Sequence, residues 1–364
     1  MNNNSDIKVL MIGPGRNVMG GISTVVNSYY NLGLDKRIKL RYIATMKDGS
    51  KIKKLSVAIK AYIQFKKCLK DFDIVHIHMA AQASFYRKSI FVQLAKKNGK
   101  KIIIHQHSAD FDDFYLKQSN SVNQQKIKNI FSMADKVIVL SEEWAKFYAD
   151  HICDVNKIII IHNGVIMPIY KKTDYTDHNV LFLGRLGERK GSYDLINAIP
   201  NVLKRVPDAQ FFLGGDGEIE ETQRIINNNG LSEHVKILGW VRDSEKENYF
   251  KICSVFVLPS YHEGMPMSVL ESMSYGLATI STNVGGIPQI IDNGIDGFRI
   301  DAGNMEELTA SIVRLLTDVE LKEAIGYNAS NKIRNCFNAN VLVNKLVRIY
   351  SEISGMEGNS VENK

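Results

Sequence analysis

Short runs of β-branched and aliphatic residues alternate along this chain with longer stretches in which apolar positions recur every three or four residues. In the first half, strand patterns lie at 8–13, 39–45, 74–79, 101–107, 136–141 and 158–162. Helical patterns lie among them at 20–32, 51–70, 85–98, 121–133 and 142–150. A polar stretch from Asn163 to His178 contains Pro168 and reads as a linker. The alternation then restarts, with strands at 180–184, 210–214, 235–238, 255–258, 278–282 and 297–300. Helices are expected at 191–205, 218–229, 243–252, 267–275 and 286–292, and three more near 305–316, 319–335 and 339–354. Alternation of this kind predicts a mostly parallel sheet with helices on both faces, here twice over. Two doubly wound α/β domains in tandem are expected to leave a cleft where their strand ends face each other. The expected boundaries are 1–168 for the first domain, 169–340 for the second and 341–354 for a closing helix, with 355–364 as a disordered tail.

Composition narrows this. At 364 residues and 45% hydrophobic content there is material for two cores. No apolar run approaches the roughly 18–20 residues of a spanning helix, and the first six residues lack the pattern of a secretory signal. Cys68, Cys153, Cys253 and Cys336 are far apart without metal-ligand spacing, so reduced thiols and a cytoplasmic protein are expected. Charge is uneven: residues 1–165 hold 26 Lys+Arg against 13 Asp+Glu, and residues 166–364 hold 20 against 26. The first half is therefore expected to meet something anionic, though no nucleic acid. The segment 51–70 has apolar residues at 52, 55, 59, 62, 63 and 69 and lysines at 51, 53, 54, 60, 66, 67 and 70. It is either a surface helix packed on its own sheet or one whose lysine face meets an anionic bilayer. In the second reading Lys53, Lys54 and Lys60 touch the membrane or the acceptor, and Arg87 and Lys88 extend that basic face.

The candidate chemistry sits after strands. Glu263 and Glu271, eight positions apart, bracket a Gly-Met-Pro turn and a helix start directly behind the 255–258 pattern. Ligands of open α/β sheets bind outside the carboxyl ends of the strands. The loop and helix start offer free N–H groups to phosphate, and the carboxylates accept charge-assisted hydrogen bonds from hydroxyls. This segment suits a polyhydroxyl ligand that carries phosphate. Arg185 and Lys190, on the loop after the first strand of the second half, suit a diphosphate. Gly20-Gly21 opens the first helix, but Val18 stands where a dinucleotide fingerprint has its third glycine, which counts against a dehydrogenase. Gly214-Gly215-Asp216-Gly217, Gly239-Trp240 and Gly285-Gly286 also follow strands. His105 and His107 share one face of their strand, as His76 and His78 do on the neighbouring one. His107, at the strand end, suits a hydroxyl or a phosphate. Asp71-Phe72-Asp73 precedes its strand, at the wrong end for a ligand, and no carboxylate spacing supports a metal with the histidines.

In order along the chain, Gly20-Gly21, His107, Arg185 with Lys190-Gly191, Glu263-x7-Glu271 and Gly285-Gly286-Ile287-Pro288 resemble the motifs of the retaining glycosyltransferases of family 4, over about residues 7–354. The resemblance implies the GT-B fold: two Rossmann-like doubly wound domains, an inter-domain cleft, and a last helix crossing back to the first domain. It implies an N-terminal acceptor domain, a second domain for a UDP- or GDP-linked sugar donor, no metal and no other cofactor. Arg185 and Lys190 would hold the donor diphosphate, Glu263 would touch the donor sugar, and His107 would reach its hydroxyls from the other domain. Glu271 would bind the ribose, and Trp240 would lie near the base. Amides of Gly20, Gly21, Gly264, Met265, Ser268, Val269 and Leu270 would complete the phosphate cradle. Pro266, inside the motif, lacks an N–H, and Gln289 stands where many relatives have Glu. Ser84-Phe85-Tyr86-Arg87-Lys88 resembles members that build bacterial surface polysaccharides on lipid carriers. That implies a hexosyltransferase of capsule, exopolysaccharide or O-antigen assembly, peripheral on the inner membrane face, with a saccharide or lipid-linked saccharide acceptor. A nucleotide-sugar 2-epimerase, a sugar phosphorylase and a non-catalytic scaffold remain open on the same frame.

Overall fold

Two six-stranded sheets, each wholly parallel, carry the predicted strands. The structure is a computed structural model that describes residues 7–170 and 172–355, without the side chain of Lys51. The expected tail beyond Gly355 and the first six residues lie outside the described residues. The chain divides into unit 1, up to Gly164 and again from Ala339, and unit 2, Val165–Asn338.

In unit 1 the strands are β1 (Lys8–Gly13), β2 (Lys39–Ala44), β3 (Ile74–Met79), β4 (Lys101–Gln106), β5 (Lys136–Val139) and β6 (Ile158–Ile160). Their spatial order is β2-β1-β3-β4-β5-β6, so the winding reverses between β1 and β3. In unit 2 they are β7 (Asn179–Leu183), β8 (Gln210–Gly214), β9 (Val235–Gly239), β10 (Val255–Leu258), β11 (Ala278–Thr282) and β12 (Phe298–Ile300). Here the order is β12-β11-β10-β7-β8-β9, the dinucleotide-fold winding, which reverses between β7 and β10. β3, β10 and β11 are buried along their whole length; β10 accordingly reads as a continuous apolar run, whereas β3 and β11 bury histidines and hydroxyl residues as well.

The last helix, Ala339–Ser354, belongs to unit 1. Its Tyr350 is fully buried, with the hydroxyl 2.5 Å from His76 Nδ1, and Lys345 Nζ donates to the Ile160 carbonyl at 2.6 Å. The stretch read as a polar linker is instead packed onto unit 2. Tyr175 is 5% exposed and donates to the Gly276 carbonyl at 2.9 Å, and buried Lys172 sits 3.5 Å from Asp177. Helix Phe111–Leu116 was not expected; its Phe111, Phe114 and Tyr115 are buried at helical spacing.

Helix Lys51–Cys68 corrects the sequence reading. It carries two apolar stripes. Ala61, Phe65 and Cys68 face the core, where Phe65 meets Phe91 edge-on at 5.0 Å. The other stripe is exposed: Ile52 82%, Leu55 63%, Ile59 52% and Ile63 48%, beside Tyr62. Among the described residues, no helix is long and apolar enough to cross a membrane.

Candidate functional site

In unit 2 the loops after β7 and β10 meet at the point where the winding reverses. After β7 the chain runs through Gly184–Gly187, a 3-10 turn at Glu188–Lys190 and Gly191 into helix Ser192–Leu203. Gly191 has φ +68°, and a Cβ there would lie 2.0 Å from the Pro259 carbonyl. Only glycine lets this loop rest on the end of β10. The Tyr261 N–H donates to the Arg189 carbonyl at 3.0 Å and the Arg189 guanidinium to the His262 carbonyl at 3.3 Å, closing the seam.

The seam brings Lys190 Nζ onto Glu263 Oε1 in an ion pair with side chains 16% and 5% exposed. Ser260 Oγ donates to the same oxygen at 2.7 Å. Below this loop lies Gly285-Gly286. Gly285 has φ +56° with its missing Cβ 1.8 Å from the Glu263 carbonyl, and the Gly286 N–H donates to the Gly264 carbonyl at 2.7 Å. The Gly-Gly pair therefore supports the Glu263 turn from beneath.

Pro266 is the N-cap of helix Met267–Ser274, a position at which its missing N–H costs the helix nothing. Helix geometry leaves the first-turn N–H groups without helical acceptors, those of Met267 and Ser268 among them. Val269 is fully buried, so only its main chain is available to a ligand. Leu270 is a correction: its side chain is fully buried and its N–H already donates to the Pro266 carbonyl at 3.3 Å, so it has nothing to offer a donor. Glu271 Oε1 accepts from Lys246 Nζ at 2.7 Å, from helix Asp243–Ile252. Lys246 and Ser260 had no sequence signal of their own, since neither belongs to a motif. Arg185 is exposed, and Trp240, directly after β9, is 37% exposed. Met265 is buried.

In unit 1, Gly20 and Gly21 are exposed at the start of helix Gly21–Asn31, behind β1. His107 follows β4, and it ends a ladder of four imidazoles on one sheet face. His76 Nε2 is 3.3 Å from His105 Nδ1, and His78 Nδ1 is 2.8 Å from His107 Nε2. His105 and His107 stack at 4.1 Å. Burial pushes the pKa of His76 and of His107 down to about 3 and holds those of His78 and His105 well below the ordinary range, so all four are neutral. The rings of His76, His78 and His105 come within metal-ligand distance of one another. Those of His76 and His78 are stacked 18° from parallel, so their in-plane lone pairs run side by side and do not converge.

Lys88 is a second correction. It was expected on an exposed basic face, yet it is 2% exposed, on the buried side of helix Gln82–Lys97 with Phe85, Phe91 and Val92. Its amine donates to Ser84 Oγ at 3.1 Å, and burial, then Arg87, bring its pKa down to about 7. Arg87 is half-buried with Nε unpaired, so it adds little exposed charge either. Lys53, Lys54 and Lys60 are exposed.

Residues 31–167 match the family described as Glycosyltransferase Family 4, and residues 171–332 match Glycosyl transferases group 1. The chain belongs to the family 4 glycosyltransferases. Among curated relatives, this glycosyltransferase is similar to the UDP-Gal:alpha-D-GlcNAc-diphosphoundecaprenol alpha-1,3-galactosyltransferase of Escherichia coli, 29% identical over 88% of this chain and 85% of the relative. The capsular polysaccharide biosynthesis glycosyltransferase CapM of Staphylococcus aureus is 23% identical over 60% of this chain and 62% of its own. Sucrose-phosphate synthase from Thermosynechococcus elongatus superposes with a TM-score of 0.81 at 17% identity, covering 96% of this chain and 99% of that one. Anabaena HepE in complex with UDP and glucose gives 0.76 at 16% identity, covering 95% and 100%. These likenesses give the fold, a two-domain Rossmann-like GT-B architecture, for a glycosyltransferase whose second unit gathers two lysine–carboxylate pairs at its switch point.

Proposed function

We propose that this glycosyltransferase moves a hexose from a UDP-linked donor, with retention and without a metal, onto a lipid-linked saccharide during assembly of a bacterial surface polysaccharide. The observation that carries the donor reading is the Lys190–Glu263 pair at the β7/β10 reversal, with Lys246–Glu271 beside it. Departure of UDP places negative charge on a phosphate oxygen. Lys190 and Arg185 supply fixed positive charge there, and the N–H groups of Met267, Ser268 and Val269 supply dipoles. Glu271, oriented by Lys246, accepts from ribose hydroxyls. In unit 1, His107 directly after β4 hydrogen-bonds a saccharide oxygen. Glu263 is held by both Lys190 and Ser260, which lowers its reactivity as a nucleophile and favours attack by the acceptor on the face that UDP leaves. The names of the Escherichia coli and Staphylococcus aureus relatives support a lipid-diphosphate saccharide acceptor and a polysaccharide role. Incubation with UDP-hexose and such an acceptor tests this. UDP and an extended saccharide are expected together, and only when both substrates are present. Sugar epimerisation without transfer would contradict it.

The same reading places the protein on an anionic membrane, by helix Lys51–Cys68. Ile52, Leu55, Ile59 and Ile63 form its exposed stripe, and Lys53, Lys60 and Lys67 run alongside at seven-residue spacing with no acidic residue on the helix. Each aliphatic side chain inserted contributes roughly 1.5–3 kcal/mol. Each near-surface lysine contributes about 1 kcal/mol, a term that salt screens. Four aliphatic side chains outweigh three lysines, so binding to anionic vesicles is expected to weaken at high salt without vanishing. Ile59→Asp is expected to weaken pelleting at every salt concentration, whereas Lys53→Glu with Lys60→Glu is expected to weaken it at low salt and much less at high salt, where charge is screened. Pelleting of the Ile59→Asp protein at wild-type level would rule out insertion.

A further inference from the structure

The ladder of histidines has an internal asymmetry that fixes a proton. A neutral imidazole carries one N–H. In the 2.8 Å bond between His78 Nδ1 and His107 Nε2, one ring donates and the other accepts. If His107 donated, the single proton of His78 would sit on Nε2, and that atom is buried without a hydrogen-bond partner. A buried N–H left unmade is rarer and costlier in proteins than an unfilled lone pair. The cheaper arrangement has His78 Nδ1–H donating, so the proton of His107 sits on Nδ1.

The geometry points to His78 as the positioning residue that holds His107 as an Nδ1–H donor. His105 packs against the ring of His107 at 4.1 Å, and hydrogen bonds anchor the His107 main chain, whose N–H donates to the Met79 carbonyl and to Gln106 Oε1, both at 2.9 Å. Gln106 is itself anchored, donating to the Tyr148 hydroxyl at 2.7 Å. His107 thus offers its remaining ring nitrogen to a ligand as a donor only, so it selects an oxygen lone pair and disfavours an ammonium at the same position. This selectivity rests on the role given to His107 above, whereas the proton placement does not.

Long-range 1H–15N correlation on the full chain labelled with 15N-histidine reads the placement directly. The wild type is expected to show His107 protonated on Nδ1. In His78→Phe the proton is expected to move to Nε2, the form free imidazole favours. The kcat is then expected to fall by about tenfold or more while the acceptor KM stays within about twofold. His78→Asn is expected to restore both, because its amide N–H takes the place of His78 Nδ1–H. His107 protonated on Nε2 in the wild type, or Phe and Asn variants with the same tautomer, would overturn the inference. A tautomer shift with unchanged kcat would leave the placement standing and strike at the role of His107 in transfer. Thermal melts of both variants separate these outcomes from loss of the fold.

Discussion

Lys190→Ala is expected to lower kcat/KM by about a thousandfold, the loss of roughly two charge-assisted hydrogen bonds at 1.36 kcal/mol per decade. Lys190 stands in the 3-10 turn between β7 and the next helix, where the diphosphate reading needs a fixed cation. UDP affinity should fall with it, measured by calorimetry, while an arginine restores charge without the compact ammonium that fits Glu263. Stability adds an independent signature. The pair is nearly buried, so removing Lys190 leaves the Glu263 carboxylate uncompensated at a cost of about 3–5 kcal/mol. The double variant Lys190→Ala/Glu263→Ala should therefore melt higher than Lys190→Ala alone, although it is no more active. Wild-type transfer by Lys190→Ala would remove the basis for the diphosphate site. A double variant that melts no higher would show the pair is not buried as described.

Gly285→Ala is expected to disable the enzyme although the residue has no side chain to offer a substrate. Its backbone is left-handed at φ +56°, and the new Cβ would sit 1.8 Å from the Glu263 carbonyl oxygen. The left-handed conformation alone costs an alanine roughly 1–2 kcal/mol. Relieving the collision means moving the Glu263 turn, and with it the carboxylate that holds Lys190. Transfer is expected to drop at least about a hundredfold, since misplacement by an ångström is enough for that. Gly294→Ala is the control: φ is +79° but nothing lies near its Cβ, so only the backbone cost applies. Melting curves and initial rates on the two variants separate steric displacement of the site from simple backbone strain. Equal behaviour would mean the Gly285 contact does not position Glu263.

How much of this was legible in the sequence follows from the range of each interaction. The strands were, because short runs rich in β-branched and aliphatic residues stand between turn residues, unbroken in β10 and interrupted only by histidines or hydroxyl residues in β3 and β11. The glycines at strand ends were visible too, but not their purpose. That Gly191 lies on Pro259 and Gly285 on Glu263 depends on the strand order, which local pattern does not encode. The Lys190–Glu263 pair joins residues 73 apart, and the Lys246–Glu271 pair gives a lysine outside every motif its place. Helix Lys51–Cys68 shows a different limit. Periodicity reveals apolar stripes but not which of two faces the core, and here the stripe at 52, 55, 59 and 63 faces out. Lys88 was misread for the opposite reason. Its charge suggested surface, whereas its spacing from Phe85, Phe91 and Val92 already placed it on the buried side.

Charge stabilisation of a departing UDP, with Glu263 held by Lys190, is proposed to drive transfer on the face the leaving group vacates. The anomeric configuration of the linkage formed from a UDP-α-hexose tests it most directly, read from the anomeric proton coupling of the purified product. An axial, α-configured linkage is the predicted result. A β-configured linkage would contradict the account.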